Sequence, residues 1–290
     1  MRISSSLLLV LLIVGTPAGA QTPDGPACIW GADISFPHCE ASFADEVVVK
    51  TPSEIIVEGQ SLENVKGHPD GKSLTLGCGG MVIVKFTDNA LVDIAKNDLH
   101  VFEKGEDHEA TNLEISTDGE NWIDLGGIPG AKASIEISGF VDPGQIFTYV
   151  KLTDLRQACD GIYKGAEIDA VGAIGAAIRE KFDSDVLFDY DSALLRPSGV
   201  AALTVFAQTY VSEEISRIII NGHASSEGAE AYNLDLSRRR AAAVRTYLSG
   251  RPEFETTRIL SNGLGESQAD QTSAREEDRR VDAWLVKNNP

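Results

Sequence analysis

The chain has 290 residues, 42% of them hydrophobic, 24% charged and 7% aromatic, a length that accommodates two ordinary globular domains and excludes a miniprotein. Acidic residues outnumber basic ones by 44 to 25, and a net charge of −19 argues against nucleic acid as a partner, because such a surface repels phosphates and releases no counterions. With 27 Gly and 11 Pro, the composition is neither collagenous nor that of a wholly disordered chain.

Residues 1–20 carry one cation at Arg2, an apolar run from Leu7 to Val14, and the small-x-small sequence Ala18-Gly19-Ala20. This pattern predicts a signal peptide cleaved before Gln21; an uncleaved anchor is the alternative. The run is far shorter than the roughly 20 residues that cross a bilayer, and no later stretch exceeds it, so no spanning helix is expected. No Cys follows the small residues, so no lipoprotein cleavage site is visible. The four cysteines, Cys28, Cys39, Cys78 and Cys159, all follow the leader, and export to an oxidising space predicts two disulfides. Three pairings remain open. A zinc site is the weaker reading, because no C-x2-C spacing occurs and only the adjacent His38-Cys39 hints at one.

From residue 21 to 175 the chain reads as short strands between turns: Val47–Val49, Ser73–Leu76, Met81–Phe86, Leu99–Glu103, Asn112–Ser116, Ser134–Ile137, Phe147–Leu152 and Ile168–Ile174. Turn sequences at Pro69-Asp70-Gly71, Asp118-Gly119 and Asp142-Pro143-Gly144 separate them and favour an antiparallel β-sandwich of jelly-roll type. Its loops offer hard oxygen ligands at Asp70, Asn89 and Asp169, and Asp88, Asp93 and Asp154 are the expected ligands of a structural Ca2+; a solvated acidic surface is the plainer reading. No other cofactor is expected.

Near Gly172–Ala177 several properties change together. Residues 21–175 hold 10 bases and 26 acids, nine of the bases being Lys; residues 176–290 hold 14 and 18, twelve of the bases being Arg. All four Cys lie before the change, so we place a domain boundary between residues 175 and 176. The second half alternates strand and helix: a strand at Val186–Phe188, a helix opened by Pro197 with the stripe Val200, Leu203, Phe206 and Tyr210, a strand at Ile215–Asn221, a helix at Leu234–Leu248, and strands at Arg258–Ser261 and Val281–Val286. The order βαβαββ predicts an α/β sandwich with helices on one face of a mixed sheet.

In the second helix, Leu234, Leu236, Ser237, Ala241, Val244, Tyr247 and Leu248 fall within an arc of roughly 160° at 100° per residue. Arg240 lies inside the arc, whereas Arg238, Arg239 and Arg245 lie outside it. An inward guanidinium requires an anion, supplied either by the protein or by a ligand, because burying an unpaired charge costs several kcal/mol. His223, between Gly222 and Ala224 with no nucleophile motif nearby, reads as a hydrogen-bond donor fixing a turn rather than as a catalytic base. The sequence contains no H-E-x-x-H, G-x-S-x-G, P-loop or dinucleotide-binding pattern, so no enzyme activity is predicted.

Two resemblances sharpen these expectations. Ser116-Thr117-Asp118-Gly119-Glu120-Asn121-Trp122, with Tyr149–Asp154 and Glu167–Val171, resembles the late strands of discoidin or galactose-binding-like sandwiches, which implies a carbohydrate- or Ca2+-binding module in the first half. Over residues 181–287 the match is more specific. Phe188–Pro197, Ile220-Asn221-Gly222-His223, the helix segment Asn233–Val244, Gly263–Glu266 and Asp278–Asp282 resemble the OmpA C-terminal-like, peptidoglycan-associating family. That resemblance implies a site for the diaminopimelate of the peptidoglycan stem peptide, with Arg240 gripping the carboxylate in a bidentate fork and the Asp of a Gly-His-Thr-Asp turn receiving the ammonium. This chain has Gly222-His223-Ala224-Ser225 at that turn, so Ser225 stands where the acid is expected, and Asp278 stands where Asn is usual. Glu227 and Asp189 are the candidate substitutes, and Asn233 completes the site.

The resulting expectation is a non-enzymatic envelope protein of a diderm bacterium, exported to the periplasm or associated with the outer membrane. It would be tethered to peptidoglycan, with an N-terminal binding or spacing module and an outer-membrane protein as a further potential partner. The alternative is a degenerate pocket on a carbohydrate- or Ca2+-dependent adhesion module.

Overall fold

The computed structural model describes residues 28–30, 34–105, 108–157, 159–269 and 275–287. The expected leader at 1–20 lies outside the described residues.

Among the described residues the first half contributes twelve strands: β1 (Cys28–Trp30), β2 (Ile34–Phe36), β3 (Glu46–Thr51), β4 (Leu74–Thr75), β5 (Met81–Lys85), β6 (Asn89–Leu91), β7 (Leu99–Glu103), β8 (Thr111–Ser116), β9 (Trp122–Ile128), β10 (Lys132–Ile135), β11 (Tyr149–Asp154) and β12 (Glu167–Ala173). The second half follows as β13 (Ala176–Asp183), α1 (Ser184–Leu187), α2 (Pro197–Thr209), β14 (Ile215–His223), α3 (Glu230–Ser249), β15 (Arg258–Gly265) and β16 (Arg280–Lys287).

Two antiparallel sheets of the first half, ordered β10-β7-β12-β4 and β3-β5-β11-β8-β9, enclose one core. Alternation decides which side chains enter it. Val82 and Val84 of β5, Leu113 and Ile115 of β8, and Val150 and Leu152 of β11 face Leu99 and Val101 of β7 and Ile168 of β12. The opposite face of β7 is also covered. There Phe102 packs with Trp30 and Phe36, carried by the β1–β2 hairpin that the Cys28–Cys39 disulfide closes, and with Phe43 just beyond it. Every residue of β7 is therefore buried. The second disulfide joins Cys78 to Cys159, so the four cysteines form two bridges.

The second half forms a mixed sheet ordered β15-β14-β16-β13-β6, parallel only between β14 and β15. Ile218 and Ile220 of β14 and Val281, Ala283 and Leu285 of β16 face Leu203 and Phe206 of α2 and Ala241, Val244 and Leu248 of α3. Pro197 occupies the first turn of α2, where its missing N–H costs nothing. The other sheet face is buried as well: Ile219, Trp284, Val286 and Ala177 pack on Ala90, Val92 and Ile146 of the first half. The fifth strand, β6, itself comes from the first half and pairs antiparallel with β13. The two halves thus share a sheet, and only Ile174 and Gly175 separate β12 from β13.

Each of the eight stretches expected as strands in the first half contributes one. Two expectations for the second half change. Val186–Phe188 is not a strand: Ser184–Leu187 is one helical turn whose Ser184 carbonyl accepts the Phe188 amide at 2.7 Å, and Phe188 only bridges Leu195. The opening strand is β13, so the order βαβαββ stands with its first element moved upstream. Leu234 is also not inward, being 37% exposed one turn after the start of α3.

Candidate ligand-binding site

Helix α3 lies against β14 and β15 at two glycines. A Cβ on Gly222 would stand 2.2 Å from the Ser237 carbonyl oxygen, and one on Gly263 would stand 2.5 Å from the Arg238 amide. Only glycine allows so close an approach. Beyond β14 the chain turns through Ala224–Gly228, and Asn233 pins that turn: its Nδ2 donates to the carbonyls of Ser225 at 3.2 Å and Glu227 at 3.1 Å, and to Glu266 Oε2 at 2.6 Å. The Ala224 amide donates to the Gly265 carbonyl and the Gly265 amide to Ser237 Oγ, which ties the turn to the end of β15.

Two turns along α3, Arg240 is 6% exposed, whereas Arg238, Arg239 and Arg245 are exposed. Its Nε donates to the Ser192 carbonyl at 2.9 Å, and its guanidinium carbon lies 5.3 Å from the centroid of the Phe188 ring. Among the described residues no carboxylate lies within 4.0 Å of it. Burial lowers its pKa, and the negative charges of Asp185 and Asp191 oppose that shift. An arginine so placed stays cationic. One edge of the fork is fixed by Ser192 while Nη1 and Nη2 have no protein acceptor among the described residues, an arrangement suited to a ligand carboxylate.

The other expected site residues are distributed unevenly. Asn233 and Ser225 are buried at the turn and Ser225 brings no charge. Glu227 is exposed and contributes its carbonyl to the Asn233 clasp. Asp189 is exposed and pairs with Arg196 at 3.4 Å instead of serving Arg240. The acids whose fields act most strongly on Arg240 are Asp185 and Asp191. Asp191 takes a left-handed backbone with φ 57° and accepts a hydrogen bond from the Tyr232 hydroxyl. The sequence marked the segment Phe188–Pro197 but carried no signal for which of its acids turns towards α3.

His223 does not fix the turn. Its ring is 2% exposed on the face opposite α3, with Nε2 3.2 Å from Asp282 Oδ2. Burial lowers its pKa despite that carboxylate.

The three acids expected around Ca2+ do not converge. Asp154 spends both oxygens on the amides of Gly79, Arg156 and Ala166. The carboxylate of Asp93 groups with those of Asp98 and Glu136, within 4.8 Å, rather than with Asp88 and Asp154. Asp98 accepts the Ile94 and Ile137 amides, and burial raises it to about 7. Asp70 and Asp169 meet each other instead, Asp169 accepting the amides of Asp70 and Gly71. The Trp122 ring is covered by Lys151, whose Nζ is 4.4 Å from its centroid.

The OmpA family model matches residues 187–283, from the end of α1 into β16. Outer membrane protein A of Bordetella avium is 33% identical over 132 residues, which span 44% of this chain and 67% of that protein. The chain belongs to the OmpA family. Outer membrane porin F of Pseudomonas aeruginosa is 33% identical over 141 residues, but this OmpA-family chain spans only 40% of its length. Among solved structures, the peptidoglycan-associated lipoprotein from Burkholderia pseudomallei is 32% identical, covering 35% of this chain and 86% of that one with a TM-score of 0.27. The relatives are thus outer-membrane or envelope proteins by name, and none of the described helices of this OmpA-family protein is long and apolar enough to cross a membrane.

Proposed function

We propose that this protein is a non-enzymatic component of the cell envelope whose C-terminal half docks on peptidoglycan by holding the diaminopimelate head of a stem peptide. The observation that carries the reading is the Arg240 guanidinium, buried on the inner face of α3 and anchored by Ser192 and Phe188, with no ion-paired carboxylate among the described residues. A ligand carboxylate in a bidentate fork on Nη1 and Nη2 would supply the missing anion. With Ser225 uncharged, Asp185 and Asp191 are the acids placed to attract the ammonium of the same head group. Family membership and the peptidoglycan-associated name of one solved relative support the same ligand. The first half, an antiparallel sandwich that we assign to the jelly-roll type, would act as a binding or spacing module in the periplasm or at the outer membrane.

The test uses insoluble sacculi. Wild-type protein should pellet with them, and Arg240→Ala should weaken that association by roughly ten- to a hundredfold, the loss of a charge-assisted hydrogen bond or more. Equal recovery of both proteins in the supernatant would refute the tether.

A further inference from the structure

On the sheet face opposite α3, the two halves touch at Trp284, Ile219 and Ile146 and then diverge. Between them lies a cleft of about 1000 Å³. Its floor is the ends of β13, β14 and β16, and its far wall is the β8–β9 turn, the loop at Asp142–Ile146 and the start of β11. That volume suits a ligand of several rings, small-molecule sites ranging over ~300–1,000 Å³.

The lining carries three cations, Lys85, Arg179 and Arg280, and three carboxylates, Asp118, Glu120 and Asp142, but the carboxylates all stand on the far wall whereas two of the cations, Arg179 and Arg280, stand on the floor. Lys85 sits over the Tyr149 ring with Nζ 5.2 Å from its centroid, and Arg179 sits over the Trp284 ring at 5.4 Å while donating to the Thr87 carbonyl. Neither has a carboxylate within 4.0 Å among the described residues, in a chain whose net charge is −19. Arg280 shares the buried Asp282 carboxylate with His223, so the floor carries two cations and a histidine against one buried anion. On the opposite wall Asp118 spends its carboxylate on the Glu120 and Asn121 amides of its own turn, and Glu120 and Asp142 stand exposed at the rim.

The neutral groups narrow the ligand further. Of the aromatic rings at the cleft, Tyr149 and Trp284 are capped by cations and Phe86 is buried in the sandwich core, so none offers a bare face to a flat apolar molecule. The floor strands β13, β14 and β16 are each paired on both sides, whereas β15, which brings Asn262 and Gly263 to the cleft, is the edge of the sheet. Side-chain amides and hydroxyls remain: Asn262 and Asn221 lie side by side with Nδ2 donating to Oδ1 at 3.1 Å, and Thr148 and Ser267 also line the cleft. The indole Nε1 of Trp284, buried at the floor, has no hydrogen-bond partner among the described residues.

We propose that the cleft between the two halves binds an anionic oligosaccharide, its acid group held by Lys85 and Arg179 and its hydroxyls by the Asn221–Asn262 pair. The site uses no residue of the Arg240 pocket and stands independently of the peptidoglycan reading. Isothermal titration of the disulfide-intact chain would use trigalacturonate, a sulfated trisaccharide of the same length and neutral maltotriose. At least one acidic trimer should bind one to one and at least tenfold tighter than maltotriose; binding of the uronate alone would identify carboxylate as the acid group, and of the sulfated trimer alone, sulfate. Lys85→Gln combined with Arg179→Gln should weaken binding by roughly ten- to a hundredfold, and the exposed Arg179→Gln alone by less, whereas Arg240→Ala should leave it unchanged. An unchanged unfolding midpoint would show that the variants are folded. No binding of either acidic trimer, equal binding of maltotriose, or no effect of the double substitution in a folded protein would overturn the proposal.

Discussion

At the scale of the residue, the proposed clamp turns on Ser225, which stands where the resemblance places an acid. Ser225 is buried at the turn after β14, held there because its carbonyl accepts from Asn233, so an aspartate at this position would have its backbone already fixed. A carboxylate there would cost desolvation, which a bound ammonium would repay through a charge-assisted hydrogen bond. Ser225→Asp is therefore expected to raise affinity for sacculi by about tenfold while lowering the stability of the unliganded chain by about 1–3 kcal/mol. Sedimentation with sacculi beside urea unfolding checks both, and a variant that gains no affinity would mean that Asp185 and Asp191 already supply the anionic half. Arg240 was legible in the sequence because helical periodicity alone puts it among apolar residues. Its partners were not, since Ser192 acts through a backbone carbonyl and Phe188 through a ring face, and neither leaves a pattern in residue type.

At the scale of the element, strands with regular alternation were legible and those defined by a distant neighbour were not. Strands β5, β7 and β8 announce themselves by β-branched or aromatic runs between turns. Strand β6 is three residues, Asn89–Leu91, made a strand by pairing with β13 from the far half of the chain. In β9, Gly126 and Gly127 interrupt the alternation, and the register shifts beside them. Strand β13 was missed because its alternation serves two environments, one turned to α2 and one to the cleft. The disulfides have an energetic consequence that depends on chain length. Cys78–Cys159 closes a separation of 81 residues and Cys28–Cys39 one of 11, so loop-closure entropy makes the first the greater constraint on the unfolded chain by about 2 kcal/mol. Cys78→Ser with Cys159→Ser should thus lower the unfolding free energy by about 2 kcal/mol more than Cys28→Ser with Cys39→Ser, measured by urea titration of the two variants. An equal or reversed order would show that the packing of Trp30, Phe36 and Phe43 under the β1–β2 hairpin outweighs chain entropy.

At the scale of the molecule, the break in charge and cysteine usage near residue 175 is real in composition, yet hydrogen bonds and packing cross it. The sheet of the OmpA-like half takes its fifth strand from the first half, the Arg179 amide donates to the Asp88 carbonyl at 3.2 Å, and Arg217 reaches the Asp93 carbonyl. Ile219, Trp284 and Val286 would be a water-facing sheet surface in a free-standing domain; here they are sealed by Ala90, Val92 and Ile146. Burial on both faces explains why β16 is buried along its middle six residues. Such an interface is expected to make the halves unfold as one cooperative unit. With Trp30→Phe and Trp122→Phe, Trp284 reports the interface alone, and its fluorescence in urea should follow the same curve as far-ultraviolet circular dichroism. Ile146→Ala, a first-half substitution, should then lower both midpoints together, with a loss of about 2–4 kcal/mol of unfolding free energy for an aliphatic side chain removed from a packed core. Two separate transitions, with Ile146→Ala moving only one, would mean that the halves fold independently and that the cleft between them has no fixed shape.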